Sequence, residues 1–147
     1  MEILEGRRPP VSLVLDSSAT LAWIYGDETT EEIRRVFEIV ADPGAFVPSL
    51  WRLEVANSLT GAVRRRRIDL EFRRAALADL ALLDIAVDDQ TDLNAWGETL
   101  ALADRFRLTV YDAAYVELAS RRRLPLATLD AEMRAAGAAL GLRLMGA

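Results

Sequence analysis

The sequence predicts an α/β fold, a parallel sheet covered by helices on both faces. Three observations carry that prediction. Val11 to Leu15 is an apolar run, interrupted only by Ser12, that stops at Asp16, as a strand buried on both faces does. Short runs of the same kind then alternate with longer segments of helical period, and alternation of strand and helix means parallel pairing. At 147 residues and 52% apolar content, the chain has the length and the oil for one well-filled core.

The elements follow in order. Met1 to Pro10 reads as a charged, proline-ended tail with no apolar segment behind it, so it is not a secretory signal, and residues 11–147 form one domain. Asp16-Ser17-Ser18 are cap and turn residues, which puts a helix start at Ala19. Ile33, Val36, Phe37 and Val40 repeat at helical spacing, with Thr29 and Glu32 as a capping box. Asp42-Pro43-Gly44 is a turn, and Ala45-Phe46-Val47 a second strand closed by Pro48. Ser49 caps a long helix from Leu50 to Arg66 with Leu53, Ala56, Leu59 and Val63 on its apolar stripe. A helix over Leu70 to Leu80 and a strand over Leu82 to Val87 come next. Leu93, Trp96, Leu100 and Ala103 predict one helix ending near Phe106. Thr109 opens another that reaches Arg121. Leu124 to Thr128 is a fourth strand, Ala131 to Leu140 the last helix, and Leu142 to Met145 a short edge strand. Trp23, Trp51 and Trp96 fall at core spacings and are expected to pack inside.

Absent residues narrow the chemistry. The chain has no histidine and no cysteine, and its 18 basic residues are all arginine. Ser-His-Asp and Cys-His nucleophiles, His/Cys zinc sites and lysine-dependent phosphate loops are therefore excluded. Carboxylates remain, and they catalyse hydrolysis as acid–base pairs or by holding hard metal ions. No apolar stretch approaches the roughly 18 residues of a membrane span, so a cytoplasmic location is expected.

Four acids fall where connections reach one sheet edge. Asp16 follows strand one, Glu54 lies in the first turns of the helix after strand two, Asp112 opens a helix, and Asp130 follows strand four. Open α/β sheets bind ligands along that edge. Each acid also has a structural reading: Asp130 as a helix cap, Asp112 as the third residue of a box capped by Thr109, Glu54 as a solvated face residue beside Asn57. Four at one edge favour a shared site. Two unit charges about 4 Å apart repel by roughly 4 kcal/mol at an effective dielectric of 20, a penalty that a bound divalent cation removes.

The segments VLDSSATLAWIYGDE, PSLWRLEVANSL and LTVYDAAYVELASRRRLPLATLD resemble the PIN domain, most of all the VapC-like toxin ribonucleases of type II toxin–antitoxin systems. The resemblance runs from Val11 to about Leu144. It implies a three-layer α/β/α sandwich around a parallel sheet of four or five strands. It implies that Asp16, Glu54, Asp112 and Asp130 hold Mg²⁺, with Mn²⁺ as a substitute, and that Ser17, Asn57 and Thr128 are accessory polar positions. It further implies an endoribonuclease that leaves 5′-phosphate and 3′-hydroxyl ends, a homodimer and a cognate antitoxin. The alternative of another class is a catalytically silent PIN-like binding module.

Net charge is −5, so RNA would be gripped locally rather than by the whole surface. Arg64 to Arg67 and Arg121, Arg122 and Arg123 both end predicted helices, where cations complement the macrodipole. The functional reading is that one of the two clusters, with Arg121, Arg122 and Arg123 named first, grips RNA phosphate through guanidinium forks.

Overall fold

The computed structural model describes residues 11–147; the tail read over residues 1–10 lies outside them. Its strands are β1 (Leu13–Leu15), β2 (Ala45–Val47), β3 (Ile85–Val87), β4 (Leu126–Ala127) and β5 (Leu144–Met145). They pair in parallel in the order β3-β2-β1-β4-β5. The helices among the described residues are α1 (Ser17–Ile24), α2 (Glu31–Ala41), α3 (Trp51–Arg64), α4 (Leu70–Ala81), α5 (Thr91–Asn94), α6 (Glu98–Phe106), α7 (Val110–Arg122) and α8 (Ala131–Ala139). The expected three-layer sandwich is the observed architecture.

The strand order reverses at β1. From β1 the chain steps outward to β2 and β3, then returns to the other side of β1 for β4 and β5. Right-handed crossovers in opposite directions put α1–α4 on one face and α5–α8 on the other. Loops leaving β1 and β4 therefore diverge, and the carboxyl ends of these two strands border a crevice. All three residues of β1 are fully buried, as their unbroken apolar run predicts. The turn into β2 requires glycine: Gly44 has φ +120, and a Cβ there would stand 2.5 Å from the Asp84 carbonyl oxygen.

Several local expectations give way to tertiary contacts. α1 begins at Ser17 rather than Ala19, because the Asp16 carboxylate caps it. Thr30, not Thr29, caps α2; the Thr29 hydroxyl instead donates to the Ala22 carbonyl, 2.8 Å away. Ser49 caps nothing: α3 starts after Leu50 without a side-chain cap, and the Ser49 N–H donates to Thr91 Oγ1. The apolar stripe of α3 is Trp51, Val55, Leu59 and Ala62, leaving Leu53 75% exposed. A hydrogen bond of 3.1 Å from Trp51 Nε1 to the buried Thr20 hydroxyl fixes that rotation. The helix expected across Leu93 to Phe106 is broken at Gly97 into α5 and α6, and Trp96 is 93% exposed, not packed inside. Trp23 stacks on Phe37 and Trp51 is buried, as expected. The third strand is shorter than Leu82 to Val87 because Leu82 ends α4 in solvent. No helix among the described residues is long and apolar enough to cross a membrane.

Candidate active site

Asp16 sits at the base of the β1–β4 crevice. It is buried, and its carboxylate accepts from the Ala19 N–H (2.8 Å), the Ser18 hydroxyl (2.8 and 2.9 Å) and the Thr128 hydroxyl (2.5 Å). Burial pushes its pKa up to about 6 against these hydrogen bonds, and the nearby Asp112 charge adds to the rise. The carboxylate is held in place, and among the described residues it has no positive partner.

Thr128, just beyond β4, ties two of the acids together. Its hydroxyl donates to Asp16 Oδ2 and accepts from the Asp130 N–H at 3.0 Å. Asp130 in turn caps α8 through the Met133 N–H. The capping reading of Asp130 is thus met, and so is its place at the rim: its charge raises the pKa of Asp112, after burial. Asp112 stands in the first turn of α7 behind the cap Thr109.

Glu54 enters from the opposite layer. The rotation of α3 set by Trp51 turns Glu54 to the rim, where the Tyr115 hydroxyl of α7 donates to Glu54 Oε1 at 2.5 Å. Burial raises the Glu54 pKa first; the Asp112 charge adds to it, while Tyr115 and the Ser17 hydroxyl oppose it. Desolvation and the Glu54 carboxylate likewise drive the Tyr115 phenol far above its ordinary value, so it stays a donor. Asn57 lies exposed three residues along and lines the same hollow as Glu54 and Tyr111.

The four acids from β1, α3, α7 and the β4–α8 junction therefore meet at one rim, with Asp112 as the common neighbour of the other three. They do not form a closed cage. Among the described residues no three carboxylates converge tightly enough to hold one ion between them.

The PIN domain family model matches residues 13–139, spanning all four acids. The chain belongs to the PIN domain family. It is 30% identical over 123 residues to Ribonuclease VapC3 of Pyrobaculum aerophilum, covering 84% of this chain and 92% of that protein. The crystal structure of PAE2754 from the same organism matches with a TM-score of 0.62 at 26% identity over 86% of both chains. VapC20 of Mycobacterium tuberculosis, a sarcin–ricin loop cleaving toxin, shares the fold at TM-score 0.60 and 19% identity, covering 86% of this chain and 95% of its own. Within the family this PIN domain is VapC-like.

The arginines of this PIN domain are used differently from expectation. Arg121 is turned inward: its guanidinium meets Asp88 at 2.7 and 3.1 Å and Glu117 at 2.8 and 3.1 Å. Arg122 lies over the Phe46 ring and 3.5 Å from Asp88. Arg123 ends α7 in the left-handed region at φ 57. The first two are occupied within the molecule, so the RNA grip expected of this trio is not available as a unit.

Two partners of the acids have no local signature. Ser18 is a ligand of Asp16 and also accepts the Leu129 N–H. Tyr115 reads in sequence as one more core aromatic on α7, and its partner Glu54 is 61 residues away. Only the tyrosine's place on the face of α7 shared with Asp112 hints at a polar role.

Proposed function

We propose that this chain is a Mg²⁺-dependent endoribonuclease, the toxin of a toxin–antitoxin pair. The observation that carries the reading is the meeting of Asp16, Glu54, Asp112 and Asp130 at one rim, where no arginine among the described residues is paired with them. Their donor atoms are all oxygen, which suits Mg²⁺ or Mn²⁺. Asp16, Glu54, Asp112 and Asp130 are the residues that would hold the ion, their side chains drawing in around it from the open arrangement they have without it. When bound, it supplies Lewis acidity toward a phosphoryl oxygen and lowers the pKa of a water.

The chain's own residues do the positioning. Thr128 and Ser18 fix Asp16, Tyr115 fixes Glu54, and the α8 cap fixes Asp130, so the rim is preorganised before substrate arrives. Hydrolysis forms a bond from water oxygen to phosphorus and breaks the bond from phosphorus to the 3′ oxygen. The 3′ oxygen takes a proton, leaving a 3′-hydroxyl and a 5′-phosphate. Ser17 and Asn57 flank Glu54 as polar contacts for substrate or water.

Protein partners belong to the same reading: a cognate antitoxin and a second copy of this chain. Leu93 and Trp96, both more than 80% exposed around α5, offer apolar area for such a partner to cover. The silent-module reading draws support from the open arrangement of the acids. One experiment separates the two. Purified protein is incubated with structured RNA while Mg²⁺ is titrated against chelator. Metal-dependent cleavage that Asp16→Asn abolishes supports the nuclease; cleavage indifferent to metal, or none at all, rejects it.

A further inference from the structure

The ribonuclease reading leaves open how an acidic protein holds an RNA strand beside an acidic rim. Resting on that reading, we propose that the polar face of α3 is the strand's track, with Arg64 and Arg65 as its phosphate anchors. Glu54, Asn57, Ser58, Gly61 and Arg65 follow one another at helical spacing on the face flanking the buried stripe of Trp51, Val55 and Leu59. Two hollows lie along it. The first, of about 510 Å³, contains Glu54 and Tyr111; the second, of about 450 Å³, contains Ser58, Gly61, Arg64 and Arg65; Asn57 lines both. The track is thus continuous from an acid of the rim to the end of the helix. From Glu54 to Arg65 it runs about 16 Å at 1.5 Å per residue, the reach of a few nucleotides.

The arginines at its far end are not used in ion pairs within the described residues, a state they share with Arg52 and Arg66, and their place beside the second hollow is what distinguishes them. Arg67 is stacked on Tyr25 at 3.8 Å and paired with Glu28 at 2.6 Å. Arg121 and Arg122 are engaged with Asp88. Arg64 and Arg65 are exposed and make no ion pair among the described residues. Gly61 adds an independent observation. Glycine inside a helix costs conformational entropy, yet here a Cβ would stand only 3.0 Å from Arg65 Nη1. The missing side chain lets the guanidinium fold back along α3 into the second hollow instead of extending into solvent. A guanidinium laid in a groove whose other end is the acid rim suits a phosphodiester backbone.

Equilibrium binding of fluorescein-labelled single-stranded RNA of random sequence, by anisotropy in chelator over a salt series, tests the track. The R64A/R65A variant is compared with wild type and with R34A/R35A, which removes the same two charges from α2. R64A/R65A is expected to bind about tenfold more weakly and to lose roughly 1.4 from the salt slope, two single-strand phosphate contacts. R34A/R35A should lose far less. Gly61→Ala should weaken RNA binding by a smaller factor while the fold is kept or strengthened. Equal losses in both double variants, or none in R64A/R65A, overturn the track. Wild type that binds RNA through Arg64 and Arg65 but never cleaves it would reject the nuclease and leave the track standing.

Discussion

The molecule holds two clusters of carboxylates near its sheet, and they are built on opposite electrostatic plans. At the Asp88 cluster, burial would raise the carboxyl pKa, but hydrogen bonds and charge from Arg121, with help from Thr91 and Arg122, hold it below the ordinary value. The Asp88 side chain is fully buried and doubly held by one guanidinium, which also grips Glu117 on α7. At the rim, Asp16, Glu54 and Asp112 are all raised, each by burial first and by a neighbouring acid besides. No arginine among the described residues answers them. The same side chain is therefore a rivet between β3 and α7 in one place and an unfilled demand for positive charge in the other. Structural clusters carry their own counter-charge, whereas a site for a cation or for cation-assisted chemistry leaves it out.

Substitutions can break this contrast. The largest effect is expected from Asp16→Asn: RNA cleavage falls on the order of a thousandfold, about 4 kcal/mol of transition-state stabilisation, while the folded protein persists because Asn also caps helices. Single-turnover cleavage together with thermal melting reads both. Arg121→Ala is expected to do the reverse. Stranding the buried Asp88 charge should cost about 3 kcal/mol of stability, with cleavage per folded molecule retained; urea unfolding beside the same cleavage assay checks it. A cleavage loss in Arg121→Ala without destabilisation would merge the two clusters into one site.

Smaller effects sharpen it. Asp112→Asn removes the charge felt by Asp16 and Glu54, so the metal-free protein should be as stable as wild type or up to about 1 kcal/mol more stable. Its melting-point gain on adding Mg²⁺ should shrink, since binding to the native state is what supplies that gain. The pH dependence in chelator should run in opposite directions for the two clusters. Asp88, depressed in the fold, contributes stability above its unfolded value near 3.8, and that contribution is lost as pH falls through its lower native value. Asp16, raised to about 6, does the opposite: the fold must ionise a reluctant acid, so stability declines as pH rises from about 4 to about 6. Asp16→Asn should flatten the second slope and leave the first, as urea titrations across pH would register.

Much of this was legible in the chain, and the boundary is physical. β1 and the acid that ends it are local facts: a Val/Leu run has one comfortable home, and Asp16 caps the next helix by contacts within three residues. β2 was equally readable between its turn and Pro48. The rotation of α3 was not, because two stripes of the helix share Leu59 and the choice between them rests on Trp51 meeting Thr20 across 31 residues. Trp96 looked like core because its spacing continues that of Leu93, but the backbone departs from helix at Gly97. Arg121 looked like surface charge at a helix end until Asp88, 33 residues earlier, came to meet it. Periodicity states which face is apolar; it does not state which distant polar group faces it.

If the uncompensated acids form one cation site, a heavy divalent ion should find it. A crystal soaked in Mn²⁺ and measured for anomalous scattering tests it most directly. A manganese peak is expected at the rim, bound by carboxylates among Asp16, Glu54, Asp112 and Asp130, and weakened in Asp112→Asn. A saturating soak that puts manganese elsewhere, or leaves the rim empty, would contradict it.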